Sequence, residues 1–299
     1  MPTLHPGTTR NRSRTRPIAS SPTPGSPAPG STSGGPWWWL VGSAVLFFLV
    51  PFVGTDLLGL RPDLYHVAYF TVAVVWSVAF LTTYGAALRD LWRPHLGWSL
   101  VVGALAGAGV VSVVLTQSGT GHPDGWRWWF GIGWRGVVYG GVDTVVLFVF
   151  PAAVAYLVLH GNRAGAARKV GYAALVLALS LVMSTAYHLG YPEYRGADLR
   201  SPLVGTVMAN SAAVVTGNPV GAFLTHVPAH TSAAVHQYRG GPTHMLPPRT
   251  TADHPDRGDG DWAVGLAGVW LLGTAGTLTL LARHERAGSS TNGKEVNSP

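Results

Sequence analysis

The chain is written in long apolar blocks separated by short polar stretches. Five such blocks, at 37–54, 66–88, 97–116, 134–160 and 170–187, each come close to the roughly 20 residues that cross a bilayer as a helix. The pattern predicts an all-α, polytopic transmembrane bundle. A sixth apolar region, 203–238, would be about 54 Å long as one helix at 1.5 Å per residue, which exceeds the hydrocarbon thickness. It must break, and the run Gly217, Asn218, Pro219 is the predicted place, with Asn218 as N-cap and Pro219 at the first helical position. Pro228 then falls inside the second piece, where it removes the hydrogen bond to the Leu224 carbonyl and predicts a kink. A last span is expected at 262–281. If 203–238 crosses twice the bundle has eight spans, which the charge placement favours, and if it crosses once, seven; 203–217 is short enough to be a half-helix or re-entrant segment.

Outside these blocks lie two tails. Residues 1–36 carry Arg10, Arg12, Arg14 and Arg16, no acid, and a Pro/Ser/Gly run, which predicts a disordered basic tail. Residues 37–283 form the expected membrane domain and 284–299 a second disordered tail. The first span opens on Trp37, Trp38 and Trp39 and closes without a small-residue cleavage site, so it is read as an uncleaved span. Arg89 and Arg93, and then Arg163, Arg168 and Lys169, sit in alternate turns, which predicts a cytoplasmic N-terminus in a bacterial plasma membrane. With eight spans, the loop holding Asp253, Asp256, Asp259 and Asp261 lies outside. Trp126, Trp128, Trp129 and Trp134 read as interfacial anchors.

Composition agrees with this plan. Of 299 residues, 47% are hydrophobic and 11% charged, against roughly 25% charged in soluble globular chains. No polar stretch is apolar enough to bury a core of its own, so a separate soluble catalytic domain is not expected. The net charge of +7 comes from arginine, Lys169 and Lys294 being the two lysines. That balance suits lipid headgroups and implies no nucleic-acid partner. Zero cysteines exclude disulfides, thiolate metal sites, iron-sulfur clusters and a cysteine nucleophile. P-loop, G-x-S-x-G and dinucleotide-binding fingerprints are also missing.

The candidate chemistry is concentrated in a few residues. Among thirteen carboxylates, Asp143 in VVYGGVDTVVLFVFP is the one well inside a predicted span. A carboxylate there must be protonated, paired or wet, so it reads as a metal ligand, general base or proton carrier, or else as a structural partner of Arg135 or a histidine. Gly140 and Gly141 before it would let another helix approach closely. His226 and His230 stand four apart, on one face of a helix, at a spacing that suits a divalent metal, zinc first, with Asp143, His188 and His236 as further ligands. Val227 stands where the H-E-x-x-H metalloprotease motif has its glutamate. The alternative is that both rings bond backbone carbonyls, including those freed by Pro228. His188 closes the fifth span beside a loop with Glu193, Arg195, Asp198 and Arg200, Tyr187, Tyr191 and Tyr194 read as interfacial aromatics, and Asn210 in mid-membrane could orient a substrate carbonyl or oxyanion. His244 and His254 are read as solvated loop histidines.

Across YHLGYPEYRG (187–196) and GNPVGAFLTHVPAHTSAAVH (217–236) the chain resembles polytopic membrane proteins of high-GC Gram-positive bacteria. It also resembles the CPBP group of intramembrane proteases, related to the enzymes that trim prenylated proteins. The likeness covers the C-terminal half, in the order of an acidic motif, a helix ending in His, and a later helix with His. It implies an intramembrane hydrolase acting on a membrane-embedded peptide or lipidated substrate. The paired-glutamate motif E-E-x-x-x-R of that group has no counterpart, Asp143 being the available substitute, and its H-x-x-x-N pattern reads H-x-x-x-H at His226 and His230. Three functional classes are compatible with these residues: a hydrolase using Asp143, His188, His226, His230 and Asn210; a proton- or metal-coupled transporter; and a structural membrane protein whose histidines knit helices together.

Overall fold

The computed structural model describes residues 35–195, 199–241, 243, 245–247, 265, 268–276 and 279. The described residues hold helices and no strands. α1 (Pro36–Pro51) runs on into a π-helical segment, Phe52–Leu57. α2 (Pro62–Tyr84) opens on a proline, whose missing N–H costs nothing there, and starts four residues before the predicted block. That earlier start puts Asp63 inside the helix. α3 (Leu96–Thr116) and α7 (Ala166–Leu189) follow the predicted blocks closely.

The fourth long helix, Trp126–Val158, reaches eight residues further toward its N-terminus than the block 134–160. It has three α-helical pieces, α4 (Trp126–Gly131), α5 (Tyr139–Thr144) and α6 (Phe150–Val158), joined by π-helical segments at Ile132–Val138 and Val145–Val149. Extra residues of this kind re-aim side chains along a helix and recur at functional sites. This is the central helix: 72% of its most apolar window is buried, against 28–39% for the other four long helices. Those four turn apolar residues such as Val75, Leu105 and Val170 outward. Among the described residues, five helices are long and apolar enough to cross a membrane.

The region 203–238 breaks twice. α8 (Arg200–Ala209) meets α9 (Ser211–Thr216) at Asn210, and a 3₁₀ turn, Pro219–Gly221, leads into α10 (Ala222–His236). The predicted break at 217–219 is present in detail. Gly217 takes φ +76°, a left-handed conformation that suits glycine, and Asn218 Oδ1 accepts the Val220 N–H at 2.9 Å. Asn218 Nδ2 donates to the carbonyls of Trp92 and Pro94, fixing this turn beside the loop before α3. At its other end α10 reaches the loop after α3, where His236 Nε2 meets the Gln117 carbonyl at 2.8 Å. So α8 and α9 run to one end of the bundle and α10 returns.

Two small-residue stripes hold α10 in place. Ser99, Gly103 and Gly107 of α3 recur every four residues, and a Cβ built on Gly103 would lie 2.0 Å from the Gly221 carbonyl oxygen. Gly107 likewise faces the Leu224 carbonyl, the group that Pro228 deprives of its partner, and Thr225 Oγ1 donates to the Gly103 carbonyl. α10 stays helical through Pro228. On its other side Gly136 and Gly140 of the central helix meet Thr231, Val227 and His230. Gly140 makes the close approach expected of it, whereas Gly141 faces open space.

Of the expected last span, 265, 268–276 and 279 are described and helical; Trp270 donates to Thr71 at 2.7 Å and sets its ring against Phe70 and Trp134. The rest of that span, His244, Asp198, the acidic loop with His254, and all of both tails but its last two residues at 35 and 36 lie outside the described residues.

Candidate metal centre

Asp143 lies on α5, between the two π-helical segments, and is 2% exposed. The glycines at 136 and 140 let α10 approach this helix closely enough for the two histidines to reach the carboxylate. His226 Nε2 and His230 Nε2 are 2.9 Å apart, and each is 3.9 Å from Asp143 Oδ2. A triangle with those three sides has a circumradius of about 2.1 Å, the length of a Zn–N or Zn–O bond. One point is therefore at ligand distance from all three atoms.

The surroundings leave those three atoms turned toward one another. Tyr69 on α2 donates to Asp143 Oδ1 at 2.6 Å, which holds the carboxylate and leaves Oδ2 toward the histidines. Oδ2 accepts no hydrogen bond from any described residue. The His230 ring meets the edge of Tyr139 at 4.8 Å between centroids, and the His226 ring meets Phe148 at 4.9 Å. Without a cation, the Nε2 atoms can form one hydrogen bond with each other; with one, both supply lone pairs. Two imidazoles and one carboxylate on a divalent ion make the three-ligand set of a catalytic zinc, which keeps a further position for water or substrate.

Asp143, His226 and His230 line a cavity of about 640 Å³. Its walls are mostly apolar, with Val110 and Val113 from α3, Leu147 and Phe148 from the central helix, and Val204 and Met208 from α8. His188 stands on the same wall but outside the group within ligand reach of Asp143. Its Nδ1 lies 2.7 Å from the Ser184 carbonyl of its own helix, which places the proton on Nδ1 and makes Nε2 the basic atom of the neutral ring. Thr206 donates to Ser184 Oγ, tying α8 to this wall.

The structure does not bring the remaining expected residues to the centre. Asn210 is fully buried, but its amide donates to the Thr206 carbonyl and accepts from Ser180 Oγ, so it stitches the α8–α9 joint to α7. His236 caps the end of α10 against Gln117. Arg135 pairs with Asp63 rather than with Asp143, through two bonds of 2.8 Å, Nε to Oδ1 and Nη2 to Oδ2. Asp63 escaped the sequence reading because the predicted span began after it.

Tyr187 and Tyr191 are fully buried, and their hydroxyls join Tyr65 and Tyr139 in a series, Tyr65–Tyr191–Tyr187–Tyr139, with O···O distances of 2.6, 2.7 and 2.7 Å. The two inner hydroxyls, of Tyr191 and Tyr187, can each donate one bond and accept another, and the terminal hydroxyls of Tyr65 and Tyr139 each make one. His66 adds a buried imidazole behind Tyr139, with Nε2 3.2 Å from the Pro247 carbonyl. No protein-family model matches the chain, and no significant match was found among curated proteins or solved structures.

Proposed function

We propose that the protein is a membrane-embedded hydrolase that holds one divalent metal ion, zinc first, on Asp143, His226 and His230. The observation that carries this reading is the buried Asp/His/His triangle, whose three facing atoms share a point at metal-ligand distance and border a cavity. A zinc ion there would lower the pKa of a water and polarise a scissile carbonyl. The protein's own part is to exclude bulk water with apolar walls and to orient Asp143 through Tyr69.

The apolar lining suits a membrane-embedded peptide or lipidated substrate, in keeping with the resemblance to the CPBP proteases, with Asp143 in place of their glutamates. The return of α10 along the bundle supports two crossings by 203–238 and hence eight spans, and the Lys/Arg placement supports a cytoplasmic N-terminus in a plasma membrane. The 2.9 Å Nε2···Nε2 contact favours a second reading, a proton relay in a transporter, in which no metal binds.

The two separate on metal content. Protein purified without a polyhistidine tag or chelator is expected to carry close to one zinc, manganese, iron or nickel ion per chain by elemental mass spectrometry. His226→Ala/His230→Ala is expected to lose it while keeping its helical circular dichroism. Wild-type protein free of metal after incubation with each of these ions would eliminate the hydrolase reading and leave the relay.

A further inference from the structure

A second cavity, of about 470 Å³, lies at the end of the bundle where the turn at 217–218 meets the loops at 85–95 and 159–165. Arg163, Lys169 and His95 line it, and no aspartate or glutamate does. Arg163 is fixed. Its guanidinium donates to the Gly217 carbonyl at 2.5 Å and to the main-chain oxygen of Asp90 at 3.3 Å, and lies over the rings of Tyr156 and Tyr172 at 4.9 and 5.4 Å. None of these partners is a carboxylate, so the charge is oriented but not neutralised. Lys169 has no carboxylate within ion-pair distance among the described residues either. The lining also includes apolar residues that face outward: Trp98 and Val215 are 69% and 70% exposed, beside Val102 and Val214.

A held arginine, a neighbouring lysine and an imidazole, with no acid and an apolar slot below, match a phosphodiester with an acyl chain. A basic pocket between membrane helices at the interface recognises such a headgroup by charge and keeps the chain in contact with hydrocarbon. Lys/Arg placement assigns this end of the bundle to the cytoplasmic leaflet, where anionic lipids are presented. We infer that this cavity binds one anionic glycerophospholipid, its phosphate on Arg163 and Lys169 and its acyl chain along Trp98, Val102, Val214 and Val215. This site is independent of the metal centre.

The test is thermal unfolding of the delipidated full chain in neutral detergent with added phosphatidylglycerol, phosphatidylcholine or inorganic phosphate. A ligand that binds the folded state alone raises the midpoint. Phosphatidylglycerol is expected to raise it by about 3 °C or more over phosphatidylcholine, with inorganic phosphate having no effect. Lys169→Ala/His95→Ala is expected to lose at least half of that increment, measured from its own lipid-free midpoint. Arg89→Ala/Arg93→Ala, which removes two positive charges outside the cavity, is expected to keep it. Equal shifts from both lipids, a matching shift from inorganic phosphate, or an undiminished increment in Lys169→Ala/His95→Ala would each overturn the assignment.

Discussion

Asp143 is almost wholly buried and accepts one strong hydrogen bond, from Tyr69, on the oxygen that faces away from the histidines. The second oxygen is thereby prepared for a cation. Tyr69→Phe keeps the ring and deletes only this bond, so the fold should survive while metal affinity falls about 10- to 100-fold, the usual effect of losing an outer partner of a ligand. Competition against a chromophoric chelator would measure it, and an unchanged affinity would dismiss the orienting role. Asp63, the other buried carboxylate among the described residues, belongs to stability. Its bidentate pair with Arg135 has side chains 6% and 11% exposed, so Asp63→Ala removes the carboxylate from a buried guanidinium and should cost about 3–5 kcal/mol. Denaturant unfolding would show that loss, whereas metal stoichiometry in the folded fraction should not change.

At the scale of elements, the ligand distances depend on how closely three helices approach. α10 lies between the Ser99/Gly103/Gly107 stripe of α3 and the Gly136/Gly140 pair of the central helix, and its histidines face Asp143 because both neighbours lack side chains at the contacts. Gly103→Ala puts a Cβ 2.0 Å from the Gly221 carbonyl oxygen, so the helices must part. Overpacking of this kind costs about 1–3 kcal/mol and should lower both the unfolding midpoint and metal retention. Gly141→Ala, one residue from Gly140 but facing open space, is the control expected to change neither. The π-helical segments on both sides of α5 could not be read from sequence, because an apolar block of this length has the same composition with or without an extra residue in a turn.

For the whole molecule, the path of the chain after α7 fixes sidedness. With 217–218 beside the loop at 159–165, and 236 beside 117–120, single cysteines introduced at Ala164 and Thr120 of this cysteine-free chain should label from opposite sides of intact vesicles. A cysteine at Asp256 should label together with the one at Thr120 if 203–238 crosses twice. Labelling of Asp256→Cys together with Ala164→Cys would mean a single crossing and seven spans.

The sequence by itself determined the helical class, the membrane-compatible blocks and the break at Gly217, Asn218 and Pro219, because these follow from local composition and backbone chemistry: long apolar runs, a capping amide, a residue without an N–H. It also singled out Asp143, His226 and His230, since ionisable groups are costly in apolar segments and a spacing of four puts two rings on one helix face. Only the tertiary structure decided that the three meet while His188 stops at the cavity wall and Asn210 turns away into the α8–α9 joint. Tyr69 as the partner of Asp143, Asp63 as the partner of Arg135 and the buried tyrosine series were likewise invisible. Each of these joins residues tens of positions apart on different helices, and such contacts are set by helix rotation and close approach, which a hydrophobic pattern shared by every face of a membrane helix does not encode.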